Sequence, residues 1–229
     1  MITIKEVKTR KDLRTFAGFN EKMYRDVPQA MPDLLSDEMA NFNPKKNPAF
    51  EYAESRQWLA YKDGECVGRI GAIISHKANA KWDRKRIRFT RVDFIDDYEV
   101  SEALFKTVEN WGREKGLKAA HGPMGFCDLD QEGMLIEGFE YDGIFITINN
   151  APYSKPDTLE LYLVGVRDQY KKKGLPLVLI TEILKAAIED GMKYAETGPM
   201  LEDNIKVQSM WKRFNKIQHR RRRCWIKEI

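Results

Sequence analysis

The stretch Thr158-Leu159-Glu160-Leu161-Tyr162-Leu163-Val164-Gly165-Val166, followed by Arg167-Asp168-Gln169-Tyr170-Lys171-Lys172-Lys173-Gly174, decides how the chain is read. Its first part is apolar and β-branched enough for a buried strand. Its second part is a polar turn closed by glycine. Leu177, Ile180, Ile183, Leu184, Ala187 and Ile188 come next at spacings of three and four, which predicts a helix with one buried face. Gly191 fits the residue just past that helix, Lys193 to Thr197 starts a second strand, and Asn204 opens another helical stretch. Between Asp157 and Trp211 the expected order is therefore strand, basic turn, helix, strand, helix. A basic turn at a helix start suits an anion, because unpaired amides and the positive end of the helix dipole meet there. Taken alone, a lysine run in that place is more often only a solvated turn.

Composition sets the outer bounds. The 229 residues suit one large domain or two small ones. A hydrophobic content of 42% and an aromatic content of 11% are those of an ordinary soluble globular protein. With 32% charged residues and a net charge of +4, the balance alone implies no nucleic-acid partner. No apolar run approaches membrane-span length, and Met1 leads straight into the strand pattern Ile2-Thr3-Ile4-Lys5-Glu6-Val7. Neither a signal peptide nor a membrane partner is expected. Cys66, Cys127 and Cys224 are odd in number and far apart, which suggests reduced thiols and a cytoplasmic protein. With the scattered histidines they form no zinc-ligand spacing, so no metal is expected.

Upstream, Thr9 can cap a helix with Asp12 in the capping-box position, and Leu13, Phe16, Phe19 and Met23 fit its buried face. Residues 27–48 contain four prolines and read as a loop with at most one helical turn around Leu34 to Met39. Asp63-Gly64 between two apolar runs predicts a hairpin. Ile87 to Phe94 alternates as a strand, Val100 to Trp111 repeats as a helix ending near Gly116, and Leu117 to His121 is a short strand. An internal echo follows. Both the span ending Gly122-Pro123-Met124 and the span ending Gly198-Pro199-Met200 run strand, turn, amphipathic helix, glycine stop, strand. The first copy's turn, Ile95-Asp96-Asp97-Tyr98-Glu99, is acidic and would repel phosphate, which leaves the second copy as the anion site.

The order of elements, and a turn of the type Arg/Gln-x-x-Gly-x-Gly/Ala, resemble the GNAT acyltransferase superfamily. Asn41 to Phe50, Asp93 to Asp97 and Gln218 to Cys224 further resemble a poorly characterised bacterial group of tandem GNAT-like proteins. The resemblance implies a mixed α/β (α+β) fold, a central mixed sheet flanked by helices, in two GNAT-like units: a degenerate one over residues 1–150 and a cofactor-binding half over 151–229. It implies acetyl-CoA or another acyl-CoA as co-substrate. Lys171, Lys172, Lys173, Gly174 and Leu175 would lie at its pyrophosphate, Val164 and Val166 would offer backbone N–H groups to the thioester, and Asn204 would reach the pantetheine arm. Three departures stand out. Pro176 replaces the second glycine and has no N–H. Trp211 stands where many members carry a tyrosine acid, and indole has no proton to give at neutral pH. Members of the group also carry extra residues about where Asn150 to Pro156 stands. Without them the second unit would borrow strands from the first or from another subunit, which would make a homodimer.

Glu160, on the strand that faces the cofactor in the family, is the first candidate base, although a surface-facing strand carboxylate is the plainer reading. Cys127 reads as a small core or loop thiol and His121 as a strand-end histidine. Asp128, Asp130 and Glu132 read as a solvated acidic loop. Arg220 to Arg223 beside Trp225 admit nucleic acid, but alternate arginines of a strand point to opposite faces, so an exposed last strand ranks first, contact with the cofactor's phosphates second and nucleic acid third. The expected function is acetyl transfer from acetyl-CoA to an amine. The alternatives are an acyl-CoA-binding relative without catalysis, or a nucleic-acid-binding protein that uses the arginine tail.

Overall fold

A computed structural model describes residues 1–31, 33–127, 130, 132–140, 157–161, 174–198 and 200–229. The chain forms two compact units, one of residues 1–143 with 220–229 and one of residues 144–219. The strands of the first are β1 (Ile2–Glu6), β2 (Ala53–Lys62), β3 (Glu65–Ser75), β4 (Arg86–Phe94), β5 (Ala119–Gly122) and β6 (Met134–Glu137). The second contains β7 (Thr158–Leu161) and β8 (Tyr194–Thr197), and the end of the chain returns β9 (Arg221–Arg223) and β10 (Trp225–Glu228) to the first. The helices are α1 (Arg10–Ala17), α2 (Phe19–Met23), α3 (Leu35–Asn41), α4 (His76–Lys81) and α5 (Tyr98–Glu114) in the first unit, and α6 (Leu175–Glu189) and α7 (Ile205–Met210) in the second.

The first unit is a sheet in the order β1-β2-β3-β4-β5-β10, antiparallel throughout except for the parallel pair β4–β5. Local chemistry sets most of it. Thr9 and Asp12 close a reciprocal capping box on α1, as expected. Asp63 and Gly64 both have positive φ, 52° and 87°, the geometry that joins β2 to β3 in a tight hairpin. Helices lie on both faces, so β3 is buried on both sides from Val67 to Ser75. Trp58, Ile70, Ile74, Ile87, Phe89, Leu104 and Trp111 form the core beneath α5. Phe16, Phe42, Leu59, Ile73 and Phe126 form the opposite one. The Asn41 to Phe50 stretch belongs to this second core. The Phe42 ring meets those of Phe16 and Phe126 at 5.4 and 5.9 Å, and Asn47 caps a short 3-10 turn at Pro48–Glu51. The helix within residues 27–48 has seven residues, about two turns rather than one. The exposed last strand is β10 after the arginines, paired with β5 at the sheet edge; the arginines expected there form β9 instead, half-buried at Arg221 and Arg222 and paired with β6.

Between β3 and β4 the register shifts, so that Arg91 and Val92 together oppose Ile70. Arg91 takes φ 46°, a conformation rare outside glycine. The bulge breaks the simple alternation read from sequence. Val92 and Phe94 join Ile87 and Phe89 on the α5 face, while the Arg91 guanidinium goes to the other side, 5.3 Å from the Phe42 ring.

In the second unit β7 and β8 pair in parallel from Thr158↔Tyr194 to Leu161↔Thr197, and Gly191 leaves α6 with φ 83°. β4–α5–β5 and β7–α6–β8 are thus the same parallel strand–helix–strand frame, as the internal echo predicts. The expected helix stripe holds at Ile180 and Ala187, which are buried, but Leu177, Ile183 and Ile188 are exposed. α6 is apolar nearly all round, and among the described residues the unit has only two strands and one short helix to cover it. Among the described residues no helix is long and apolar enough to cross a membrane.

Candidate functional site

α6 begins at Gly174, whose φ of 74° is left-handed and needs glycine. Among the described residues no side chain caps this end, and no acidic residue lies in the first turn. Gly174 O takes the N–H groups of Leu177 and Val178 at 3.0 and 3.2 Å. Leu175 carries a first-turn N–H without an intrahelical acceptor, and Pro176 carries none. An anion would meet the positive end of a fifteen-residue helix here. Lys171, Lys172 and Lys173, immediately before it, lie outside the described residues, as do Val164, Val166 and the side chain of Glu160.

The same corner of the first unit is closed by its own carboxylate. Asp97 caps α5 by accepting from Glu99 N–H at 2.9 Å, and it pairs with Lys62 Nζ at 2.6 Å. The Lys62 hydrogen bond, followed by the Glu99 and Val100 N–H groups, outweighs burial and holds the Asp97 carboxyl below the usual carboxylate range. The acidic turn therefore does more than repel phosphate: its side chain occupies the place a phosphate oxygen would take.

Around β7 and β8, Glu160 is the register partner of Glu196. Glu196 is mostly buried, and its Oε1 lies 3.3 Å from His219 Nε2. This carboxylate–imidazole pair was not visible in the sequence, where His219 reads as the start of the arginine run. Asn204 caps α7, its Oδ1 accepting from Val207 N–H at 3.3 Å, which leaves the amide nitrogen as the group able to reach a ligand. Trp211 lies in the 3-10 turn Trp211–Arg213 that follows, its ring 5.6 Å from that of Phe214.

The side chains singled out in the first unit serve structure. Burial first, and then Arg88, Arg86 and Arg84, pull the pKa of His121 down to about 4, so it is neutral at physiological pH and a weak base. Cys127 is an exposed loop thiol, and Cys66 and Cys224 are also unpaired. Asp130 corrects the reading of a solvated acidic loop. It is largely buried, its Oδ1 2.6 Å from Arg91 Nη2, and it accepts from Phe126 N–H at 2.9 Å. Glu38 binds the same guanidinium with both oxygens, at 2.8 and 3.0 Å. Burial acts to strip the Arg91 charge, but Glu38 and Asp130 together outweigh it and keep the group ionised. Buried Arg69 is held likewise by Asp93 at 2.8 Å and Phe16 O at 2.7 Å. Among the described residues no three His, Cys, Asp or Glu side chains gather as metal ligands. In the tail, Arg221 of β9 reaches Glu137 at 3.3 Å and the strand pairs with β6, so the arginines are engaged within the first unit.

The sheet with its one parallel pair, the helices on both faces and the repeated strand–helix–strand frame define a GNAT fold of the tandem type. Over 100% of its length the chain is similar to a tandem GNAT protein from the clavulanic acid biosynthesis pathway, of which it covers 98%, with a TM-score of 0.60 and 11% identity. At that identity the likeness is one of fold. Among curated proteins the chain is similar to Protein YghO of Escherichia coli (strain K12), 32% identical over 131 residues, 57% of this chain and 33% of that protein. It is also similar to the bacterial ceramide synthase of Caulobacter vibrioides (strain NA1000 / CB15N), 26% identical over 192 residues, 83% of this chain and 50% of that protein. The matched stretch is thus between one third and one half of these relatives. No family model matches the chain.

Proposed function

We propose that the chain carries the acyl-CoA-binding part of an N-acyltransferase, and that the start of α6 receives the pyrophosphate. The observation that carries this reading is the contrast between two equivalent helix starts. α5 is closed by Asp97, whereas α6 begins at a left-handed glycine with no cap and no acid, directly after Lys171, Lys172 and Lys173. Likeness to a protein named a ceramide synthase supports a long-chain amino alcohol as the acceptor, since a ceramide is the N-acyl amide of such a base, and supports an acyl donor longer than acetyl-CoA.

In the reaction the amine nitrogen attacks the thioester carbonyl. The C–N bond forms, the C–S bond breaks, the nitrogen loses a proton and the departing thiolate gains one. Backbone N–H groups at Val164 and Val166 are the proposed donors to the carbonyl oxygen. Glu160 is the proposed base, with the neighbouring Glu196–His219 pair as the second candidate. Trp211 supplies no proton, so water protonates the thiolate. Pro176 and Trp211 also favour a second reading, a protein that binds acyl-CoA without turnover.

The test is CoA binding by calorimetry and thermal shift. A ligand at a hundred times its Kd stabilises the native state by about 2.7 kcal/mol. Replacing Lys171, Lys172 and Lys173 by Ala should weaken binding roughly ten- to a hundredfold. An unchanged melting temperature in millimolar CoA ends the proposal. Binding without thiol release, from either short- or long-chain acyl-CoA over a panel of amines, selects the second reading.

A further inference from the structure

One exposed segment of the first unit is strongly basic. Residues 76–86, His-Lys-Ala-Asn-Ala-Lys-Trp-Asp-Arg-Lys-Arg, hold five Lys/Arg and one Asp, a net +4. They form α4, the loop after it and the start of β4. Lys118 adds a sixth cation, since its N–H donates to Lys85 O at 2.8 Å. Among the described residues none of these six cations has a carboxylate in salt-bridge reach. Their contacts are with rings: Lys77 over Tyr52 at 5.5 Å, Lys81 over Trp82 at 5.0 Å and Arg84 over Trp82 at 6.0 Å. The indole of Trp82 is 53% exposed.

The fold of this exposed segment is fixed locally. Ser75 caps α4 through Ala78 N–H at 3.3 Å. Asn79 then clamps the loop from both sides, its amide bonding Arg86 O at 2.9 Å, its Oδ1 accepting from Arg86 N–H at 3.3 Å, and its own carbonyl accepting from Arg84 N–H at 2.9 Å. Asp83 turns the chain with φ 46°. The backbone therefore holds a half-exposed indole beside Lys81 and Arg84, although burying it would have been favourable.

We propose that this segment is a docking surface for an anionic phospholipid bilayer. An indole among lysines and arginines matches the headgroup level, where Trp seats its ring and cations meet lipid phosphates. Nucleic acid fits less well: single strands track a groove with several aromatic platforms, and this segment offers one exposed indole. Peripheral contact needs no spanning helix. It departs from the expectation of no membrane partner, which rested on the lack of an apolar run. The surface goes beyond the proposed acyl transfer, and its test requires neither acyl-CoA nor turnover.

The experiment is co-sedimentation of the full chain with vesicles of phosphatidylglycerol and phosphatidylcholine, against vesicles of phosphatidylcholine alone, across a salt series. The expected result is partition onto the anionic vesicles only, fading with salt. Each exposed cation is worth about fivefold in partition, so the variant Lys81→Ala/Arg84→Ala/Lys85→Ala should bind about a hundredfold more weakly at an unchanged melting temperature. Trp82→Ala should abolish the blue shift of tryptophan emission on vesicle addition, and Arg221→Ala/Arg223→Ala should bind as the parent does. Equal binding to neutral vesicles, no binding at low salt, a triple variant that binds like the parent, or loss of binding on changing the tail arginines would each overturn the proposal. So would a single-stranded oligonucleotide that anionic vesicles fail to displace.

Discussion

His121 gives the first unit a pH limb of defined position. It sits on β5 with Arg88 and Ile226 as its register partners on either side, and burial followed by Arg88, Arg86 and Arg84 lowers its pKa to about 4 from 6.5. Between those values the unfolded chain binds a proton that the native one refuses, so stability rises with pH across the window. The contribution is fully present above about pH 6.5 and is lost as pH falls toward about 4. The gap corresponds to about 3 kcal/mol, an upper figure because part of the ring still meets water. Urea denaturation of parent and His121→Gln, followed by tryptophan emission between about pH 7 and about pH 4, measures it. Gln keeps a polar side chain but does not titrate, so its stability should stay nearly level where the parent declines. Burial raises the Asp33 carboxyl, which titrates in the same window in both forms, so the difference between parent and variant, not either curve alone, reports the imidazole. Asp12, held low chiefly by its hydrogen bond from Lys5, and Asp97, held low by Lys62, lose their contributions as pH falls through the ordinary carboxylate range, equally in parent and variant. Parallel curves for parent and variant down to about pH 4.5 would show that the imidazole is not held neutral by its surroundings.

Two further outcomes follow from particular contacts. Glu38→Gln removes one of the two carboxylates on buried Arg91 and leaves Asp130, so the cost falls near the lower end for a broken buried pair, about 3 kcal/mol, or a melting temperature about 6–12 °C lower by calorimetry; a shift under about 2 °C would contradict it. Trp211→Tyr places a hydroxyl where an acid would serve the departing thiolate, and if the proposed transfer occurs, turnover at saturating acyl-CoA should rise about a hundredfold despite some lost packing on Phe214; an unchanged rate assigns the proton to another group.

What could be read from the sequence was local. The Thr9–Asp12 cap, the Asp63-Gly64 hairpin and the two strand–helix–strand frames each rest on residues within one or two turns of each other, where periodicity and turn chemistry act directly. Arg91 shows where that stops. In an alternating run it shares a face with Ile87 and Phe89, and only the bulge, which depends on the register with β3, sends it across the sheet to Glu38, 53 residues away. The exposure of Leu177, Ile183 and Ile188 was hidden for a related reason: a stripe predicts which face wants burial, and other elements decide how much of it is covered. In the candidate site, the basic turn and Gly174 were legible as types, because glycine after lysines at a helix start has local meaning. The Glu196–His219 pair joins residues on separate elements and left no spacing to find.

The two frames differ most where they begin their helices, and that difference has an energetic sign. An aspartate at a helix N-cap is worth about 1 kcal/mol over an uncapped start, and glycine recovers part of it. Asp97 gives α5 that stabilisation, together with a bond to Lys62. Gly174 gives α6 less, in a unit whose helix also keeps Leu177, Val178, Leu179 and Ile183 in contact with water. A frame kept only for packing gains nothing from an uncapped start beside three lysines, since the lysines repel one another and among the described residues no side chain caps the first turn. The proposed pyrophosphate contact would remove both penalties at once. On this reasoning the second unit should be the less stable of the two without CoA, and the one that hydrogen exchange finds slowed when CoA binds.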